Sequence, residues 1–383
     1  MSSILLVSGD GLEFLGSADR GAGFGPPPPF SFSVTLRGSG ETVSFSPEPT
    51  PALGEGEADK EITIEELGTE LPDWEDKDLL SFVLEGYFSV LSRRLPEGVR
   101  ASVHRLYVPF WMGPRERRLL RRAAQRAELS LLDGLERGLA PVLTRVWQGE
   151  EPPSSGGWIV ADRCGADLDL YGISDRLSET GREIELVGYR RCPQISSVYY
   201  ATRRSEAAQV VEAALATLPA SWRLLATEEW ATELLSERAT KGGSEIRSFA
   251  DHVAALEAHG ISPGPMQVTL SRHWRYWLDY GDDRLESLDE GGGQYPRRVE
   301  RLLSIPDPPP DHIRLGLRTG FHPTRLETQE ICQVRISRPD LHYAPGFLLV
   351  LLRLRGHGSG DLEIDVIQRG KSVHTVSAPF SAY

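Results

Sequence analysis

Aspartates beside glycines, in two short segments, are the residues of this chain whose types could do chemistry. Asp10 lies in the segment V-S-G-D-G-L-E, and Asp162, Gly165 and Asp169 lie in W-I-V-A-D-R-C-G-A-D-L-D-L-Y-G-I. Glycines let backbone amides approach phosphate groups closely, and carboxylates can hold a hydrated magnesium ion. Residues of these types could bind phosphate and a magnesium ion, and they are the candidate site of this chain. The alternative is that they only shape turns, because electrostatic stabilisation needs the whole constellation.

Other reactive side chains do not form a recognisable catalytic or metal-binding pattern. The nine histidines have no metal-like spacing. The three cysteines lie far apart, which predicts free, mostly buried thiols rather than disulfides or a zinc cluster. Ser8, Asp10 and Cys164 have no acid–base neighbours in the sequence that would activate a hydrolytic nucleophile. Hydrolysis by a side-chain nucleophile is therefore rejected.

Two further segments could bind a partner. One face of a helical pattern that begins at Pro114 carries six arginines: Arg115, Arg117, Arg118, Arg121, Arg122 and Arg126. Such a face could bind an acidic partner or nucleic acid, although charged stripes on helices are usually solvated. The segment H-W-R-Y-W-L, with Trp274, Tyr276 and Trp277, could form a peptide-binding surface or could anchor an irregular segment to the core.

Composition limits the class of protein and its partners. A chain of 383 residues that is 40% hydrophobic can build two or three cores. Acidic residues outnumber basic ones by 55 to 42, and the net charge of -13 repels phosphate backbones and anionic lipid. The early apolar run from Ile4 to Val7 is too short for a signal-peptide core. We therefore expect a cytoplasmic protein whose partners are proteins rather than nucleic acid or membrane.

Hydrophobic periodicity predicts the elements that position these residues. Two apolar runs around Gly9-Asp10-Gly11 predict a β-hairpin, and a second hairpin is predicted around residues 30–45, before a mobile linker over 47–60. The following pattern predicts a strand over 103–110 and helices over 73–93, 114–127 and 132–146.

The segment E-E-P-P-S-S-G-G, residues 150–157, predicts a boundary between two lobes. Beyond it the pattern predicts strands over 158–173, 183–188 and 222–226, and helices over 205–218, 227–238 and 244–259. Residues 266–311 are rich in Gly, Pro and Asp and predict an irregular linker. Period-two alternation over 312–383 predicts a C-terminal β-domain built as a sandwich, with strands over 313–318, 331–336, 347–355, 362–368 and 371–377.

Two of these stretches resemble heat-shock-70 chaperones. The stretch V-H-R-L-Y-V-P-F-W-M-G-P-R-E-R-R-L-L-R-R-A-A-Q-R-A-E-L-S-L-L-D-G-L-E-R-G-L-A resembles their first-lobe segment, and the segment around Asp162 resembles their second phosphate loop, D-x-G-G-G-T-x-D. The resemblance implies a two-lobed, actin-like (ribonuclease-H-like) α/β fold with a reduced second lobe and a C-terminal all-β domain. It implies lobe I over 1–150, lobe II over 156–265, the linker over 266–311 and the β-domain over 312–383.

The chain departs from the family's phosphate loop at three positions. Cys164 and Ala166 occupy two of its glycine positions, where their β-carbons would obstruct a triphosphate, and Asp167 occupies its threonine position and adds negative charge. The first loop lacks the family's threonines. The resemblance therefore implies that ATP binding is badly impaired.

A further departure concerns the water-positioning carboxylate. The family's Asn, Glu and Pro fall on Glu136, Arg137 and Gly138, so the resemblance implies that this carboxylate is missing or displaced by one residue.

Three functions remain open from the sequence. The leading hypothesis is a heat-shock-70-like pseudo-ATPase that acts as a protein-interaction or scaffold subunit beside another chaperone-like protein, with no cofactor. The alternative is an active chaperone or actin-like ATPase that binds ATP and magnesium through Asp10, Asp162, Gly165 and Asp169. A third hypothesis is a client-binding module formed by residues 312–383.

Overall fold

The structure is a computed structural model, and its description covers parts of the chain. The described residues are 2–8, 11–15, 30–31, 33–37, 42–46, 60–62, 85, 88–89, 92–93, 103–132, 136–164, 167–179, 181–195, 198, 204–235, 244–246, 268–272, 275–280, 285–289, 296–306, 308, 310–324, 327–337, 346–356 and 359–381.

The helices and strands follow one another in three stretches of chain. The first contains β1 Ser2–Ser8, β2 Gly11–Leu15, β3 Phe30–Ser31, β4 Ser33–Arg37, β5 Thr42–Ser46, β6 Lys60–Ile62, β7 Val103–Tyr107, α1 Pro114–Arg126, β8 Ser130–Leu132 and α2 Leu139–Trp147. The second contains β9 Gly157–Cys164, β10 Asp167–Ser178, β11 Gly181–Cys192, α3 Arg204–Leu215, β12 Arg223–Ala226, α4 Glu229–Leu234 and β13 Ser244–Ile246. The third contains β14 Val268–Arg272, β15 Arg275–Asp279, β16 Leu285–Asp289, β17 Arg297–Ser304, β18 His312–Gly320, β19 Thr328–Ser337, β20 Gly346–Gly356, β21 Ser359–Gln368 and β22 Lys371–Ser381.

The two largest sheets repeat one strand arrangement. The first sheet has the order β3-β2-β1-β7-β8, and the second has β11-β10-β9-β12-β13 with β14 added beside β11. In the first sheet β1 runs antiparallel to β2 and parallel to β7, while β2–β3 is antiparallel and β7–β8 is parallel. In the second sheet β9 runs antiparallel to β10 and parallel to β12, while β10–β11 is antiparallel and β12–β13 is parallel. The order and the strand directions are therefore the same in both.

Both large sheets lie in one compact unit of the chain. One unit comprises residues 1–109 and 118–270, and the other comprises 110–117 and 271–383. The lobe boundary predicted at 150–157 lies within the first of these units and stays a prediction. Residues 137–150 are joined by hydrogen bonds and ion pairs to strands of the second sheet.

The second sheet has two different faces, because strand side chains alternate in direction. One face packs against α3 and α4 in a hydrophobic core that includes Ile159, Ala161, Leu168, Leu170, Val211, Leu215, Trp230 and Ala231. The residues between these on β9, β10 and β11 point to the opposite face, and they include Trp158, Asp162, Asp169, Tyr171, Tyr189 and Arg191. This opposite face carries the candidate site.

The unit that contains the C-terminus is built from two four-stranded sheets. The fourth sheet has the order β16-β15-β18-β19, and the fifth has β17-β20-β21-β22. Their inner faces share one apolar core, which includes Tyr276, Leu278, Leu315, Leu317, Val334, Val350, Leu352, Ile364 and Val366. The third and smallest sheet, in the other unit, has the order β5-β4-β6.

The structure differs from two sequence predictions. Residues 266–311 contain strands β14 to β17, so the prediction of an irregular linker is wrong for them. These strands are short and find partners far along the chain, as β15 does with β18 and β17 with β20, which local composition cannot indicate. The helix predicted over 244–259 instead begins with β13, which pairs with β12, and the remaining residues lie outside the described ranges.

Most of the other predicted elements agree with the structure. Both N-terminal hairpins, the helix from Pro114, the strand 222–226 and the strands of the C-terminal region are confirmed, with ends shifted by a few residues. The stretch 158–173 is divided between β9 and β10, and the helix predicted over 132–146 begins only at Leu139. The predicted helix 73–93 is helical at residues 85, 88–89 and 92–93, the part of it that is described.

Substitution of Ile364 tests the assignment of inner and outer faces in the fifth sheet. Ile364 is fully buried, so Ile364→Ala should lower the free energy of unfolding by about 2–5 kcal/mol in urea denaturation. Leu302→Ala is the matched control, since Leu302 is 59% exposed and should change stability by about 0.5 kcal/mol or less. Equal losses for the two variants would contradict the assignment.

Candidate functional site

The β9–β10 hairpin brings the predicted aspartates together. Asp162 on β9 lies directly opposite Asp169 on β10, and Asp169 lies opposite Arg191 on β11. Asp167 lies opposite Cys164, one step closer to the turn. Three carboxyl groups and a guanidinium thus come from adjacent strands on one face of the sheet.

Arg137 neutralises Asp162. Its Nε donates to Oδ2 of Asp162 at 2.7 Å and its Nη2 donates to Oδ1 at 3.2 Å, while Nη2 also donates to the carbonyl of Arg163 at 2.8 Å. The Thr227 hydroxyl donates to Oδ1 of Asp162 at 3.1 Å and accepts the backbone N–H of Arg163. Burial opposes the charge of Arg137, but Asp162 raises the pKa of the guanidinium above its ordinary value. The two groups are therefore joined by charge and by two hydrogen bonds although both are buried.

Arg191 neutralises Asp167 in the same way. Its Nε and Nη2 both donate to Oδ2 of Asp167, the former at 2.7 Å. The other oxygen, Oδ1, accepts the backbone N–H of Gln194 at 2.8 Å. Asp167 is 5% exposed, so this carboxylate is turned into the protein rather than toward a ligand.

Asp169 lies between the two ion pairs and is held by tyrosines. The hydroxyl of Tyr189 donates to its Oδ1 at 2.8 Å, and that of Tyr171 donates to its Oδ2 at 3.4 Å. Burial raises the pKa of Asp169 to about 7, and the neighbouring carboxylates add to the rise, while Arg191 and the Tyr189 hydrogen bond oppose it. Burial and the charge of Asp169 also raise the pKa of both tyrosines. Asp169 therefore titrates near neutral pH.

A pairing with β7 positions Arg137. Glu136 forms a parallel bridge with Val108 just beyond the end of that strand, and the backbone N–H of Arg137 donates to the Val108 carbonyl at 2.9 Å. The next residue, Gly138, lies directly over Tyr171, where an added β-carbon would be 2.2 Å from the ring. Only glycine permits this approach. The backbone that carries Arg137 is thereby held close to the β-strands that carry the buried aspartates.

A second polar cluster fastens the same segment at the other end of the hairpin. Arg182 donates to both oxygens of Asp175, at 2.7 and 2.6 Å, and the indole of Trp158 donates to Asp175 at 2.8 Å. The guanidiniums of Arg145 and Arg223 lie 5.4 and 5.1 Å from the centre of the Trp158 ring. This cluster anchors α2 to the second sheet.

The side chains present do not fit magnesium and a nucleotide. All six oxygens of Asp162, Asp167 and Asp169 accept hydrogen bonds from the chain itself. Asp162 and Asp169 are fully buried. Magnesium requires near-octahedral oxygen ligands and keeps several waters, which a closed network of this kind does not provide. Among the described residues, no group of three or more His, Cys, Asp or Glu side chains could hold a metal ion.

The structure leaves part of the predicted site unaddressed. Asp10, Gly165 and Ala166 lie outside the described residues, so their roles stay predictions. Cys164, at another predicted glycine position, is described and buried. The prediction that the cysteines are free and mostly buried is confirmed, with Cys332 partly exposed.

The other candidate surfaces have separate outcomes. Tyr276 and Trp277 are buried, at 0% and 8% exposure, so this part of the aromatic segment is not an exposed peptide-binding surface, and Trp274 lies outside the described residues.

On α1, Arg118, Arg122 and Arg126 are exposed, and Arg126 pairs with Glu85. Within the described part of the chain, no helix is long and apolar enough to span a membrane.

Sequence reasoning missed the groups that close the site. The sequence pattern predicts no role for Arg191, Tyr189 or Thr227, and it places Arg137 only at a position matched to the family. Alternation along β10 and β11 is a signal that could have placed Tyr171 and Arg191 on the face of Asp169. Nothing local could have paired Arg137 with Asp162, because 25 residues separate them.

Removal of the Arg137 side chain should destabilise the folded protein. Arg137→Leu leaves the buried carboxylate of Asp162 without its counter-charge and should lower the free energy of unfolding by about 3–5 kcal/mol. The control is Arg163→Ala, beside Asp162 on β9, whose side chain is 44% exposed and lies 3.9 Å from Glu228; it should cost about 1 kcal/mol or less. Adding Asp162→Asn to Arg137→Leu should recover part of the loss. Equal effects of the two single variants, in urea denaturation, would contradict the pairing.

Stability should depend on pH through Asp169. The pKa of this carboxyl rises from about 3.9 in the unfolded chain to about 7 in the folded protein. The folded state therefore holds a proton that the unfolded state has released, so this contribution to stability is lost as the pH rises between these values. Asp169→Asn removes the effect, and wild type should lose about 1.4 kcal/mol per pH unit relative to it within that window.

The measurement is the free energy of unfolding of both proteins across the window. Tyr189→Phe is an informative companion, because loss of a hydrogen bond to the carboxylate should move the upper end of the window to higher pH. A wild-type stability that stays parallel to that of Asp169→Asn would show that Asp169 is ionised throughout.

The site is thus a row of three buried aspartates, Asp162, Asp167 and Asp169, whose carboxyl oxygens all accept hydrogen bonds from the chain itself. Comparison with protein-family models finds no matching family, and comparison with curated proteins finds no significant match.

Proposed function

We propose that the chain is a heat-shock-70-like pseudo-ATPase, a protein-interaction or scaffold subunit on a two-lobed, actin-like (ribonuclease-H-like) fold. In this proposal the second lobe is reduced and a C-terminal all-β domain follows. The partner is another protein, for which a chaperone-like subunit is our leading candidate. No nucleotide takes part.

The repeated sheet arrangement supports the fold. A chain made of two related lobes requires two sheets with the same strand order and the same pattern of parallel and antiparallel neighbours. The first and second sheets meet this requirement strand by strand. The candidate site lies on the first hairpin of the second sheet, as the second phosphate loop does in the proposed alignment.

The closed carboxylates support the loss of nucleotide binding, and they are the observation that carries the proposal. Magnesium would have to displace Arg137 from Asp162 and the tyrosines from Asp169. Each displaced group would then be buried without its partner, which costs several kcal/mol for a charge. Asp167 adds a further negative charge beside any phosphate. The chain has thus replaced an external cation by its own guanidinium groups.

Calorimetry of the full chain with magnesium and ATP tests the proposal. We expect no saturable heat at millimolar nucleotide and no shift of the thermal unfolding temperature, because the ligand positions are filled. Asp162→Asn serves as the control, since any heat unrelated to the site will be the same in both proteins. Micromolar binding that disappears in Asp162→Asn would favour the alternative, an active ATPase with an atypical phosphate loop.

A further inference from the structure

Exposed apolar side chains concentrate on one surface of the β-sandwich. Within the described ranges, the large hydrophobic residues with high exposure are Leu177, Val210, Leu302, Phe347 and Val373, at 63%, 47%, 59%, 46% and 45%. Three of them, Leu302, Phe347 and Val373, belong to the fifth sheet. Exposed apolar side chains that cluster in this way mark interaction sites, whereas isolated ones need no explanation.

The strand register places these residues beside one another on the outer face. Leu302 on β17 lies opposite Leu349 on β20, and Phe347 on β20 lies opposite Ile367 on β21. Val373 lies at the bulge where β22 passes Ile367. The alternate residues Leu348, Val350 and Val366 belong to the inner core, so these five point outward. Leu302, Phe347, Leu349, Ile367 and Val373 are called the apolar patch below.

At the other end of the same face, the charged side chains form ion pairs with one another. Arg353 binds Glu363 at 2.7 Å, Arg298 binds Glu300 at 2.7 Å, and Arg355 binds Asp361. These charges have partners within the sheet and offer little to an incoming protein. The apolar patch lies at the end of the face without such ion pairs among the described residues, where the carboxylate of Asp365, opposite Leu349, accepts hydrogen bonds from the hydroxyls of Ser372 and Thr375.

Two cations border the apolar patch. Arg369 and Lys371 flank Gly370 in the turn between β21 and β22, next to Ile367 and Val373, and both are exposed. Neither forms an ion pair with a described residue. In a chain of net charge -13, a border of unpaired cations favours a partner with an acidic group at that point.

The position of the patch also determines the shape of its occupant. The patch crosses the face of the fifth sheet from the edge strand β17 to the edge strand β22, so an occupant that covers all five side chains lies across the central strands β20 and β21, whose backbone groups are paired within the sheet. The occupant must satisfy its own backbone groups, which a helix does. Four strands at about 4.8 Å spacing extend the patch over about 14 Å, which matches about ten residues of helix at 1.5 Å per residue.

We infer that the apolar patch binds an amphipathic helix of a partner protein, with an acidic residue of that helix beside Arg369 and Lys371. The apolar stripe of the helix covers Leu302, Phe347, Leu349, Ile367 and Val373. This inference rests on the proposed function, since it names the surface through which the scaffold holds its partner.

Binding of a defined helical probe to the full chain tests the inference. The probe is a fluorescent, stapled helical peptide with Leu and Phe three and four positions apart and two glutamates at one end; its twin carries two lysines instead. We expect the acidic probe to bind more tightly than the basic one in fluorescence anisotropy. The double variant Leu302→Ser with Phe347→Ser should weaken binding about tenfold or more. Lys371→Glu should reduce or reverse the preference for the acidic probe.

Leu177→Ser is the matched control, because Leu177 is equally apolar and even more exposed but belongs to the other unit. It should leave probe binding unchanged. The inference is overturned if neither probe binds, if the double variant binds as wild type does, or if both probes bind equally. It is also overturned if sedimentation shows a dimer of the chain that the double variant abolishes, since a second copy would then be the occupant.

The two proposals fail separately. Micromolar ATP binding by a chain that still holds the helical probe would overturn the pseudo-ATPase and leave the docking surface standing. Failure to bind the helical probe, in a chain that also binds no nucleotide, would overturn the docking surface and leave the pseudo-ATPase standing.

Discussion

The ion pair between Arg137 and Asp162 is the interaction on which the arrangement around the candidate site depends. Both groups are buried, and a buried charge is tolerated only when it is paired and hydrogen-bonded. The pair uses both oxygens of the carboxylate and fixes the backbone of residues 136–138 against the second sheet. Gly138 can then lie on Tyr171, and α2 follows in a position that Arg145 and Glu150 reinforce.

Charge around this pair is balanced within the chain. Three carboxylates, from Asp162, Asp167 and Asp169, face two guanidiniums, from Arg137 and Arg191. The remaining negative charge would fall on Asp169, and its raised pKa lets a proton take the place of a third cation at neutral pH. In a metal-dependent site a divalent ion would supply this charge. Here the two guanidiniums and a proton supply it, while the hydroxyls of Tyr171 and Tyr189 donate hydrogen bonds to Asp169, and we therefore propose that the site is structural.

Local patterns in the sequence predicted most of the elements near the site but not the contacts between them. The hairpin around Asp162 and Asp169, the helix from Pro114 and the C-terminal strands follow from period and turn residues. Strands β14 to β17 were missed because glycine and proline concealed short strands, and because β15 and β17 also pair with partners far along the chain. The Arg137–Asp162 pair was missed for a related reason, since it depends on how two segments pack, which residue spacing alone does not specify. The acids were identified, but their partners were not.

Crystals of the full chain grown with manganese and ATP would test the central claim most directly, because manganese takes the oxygen ligands that magnesium prefers and scatters anomalously. The account predicts no anomalous peak beside Asp162 or Asp169, with the guanidinium of Arg137 still bound to both oxygens of Asp162. A manganese peak coordinated by either aspartate and by nucleotide phosphates, with Arg137 displaced, would contradict it.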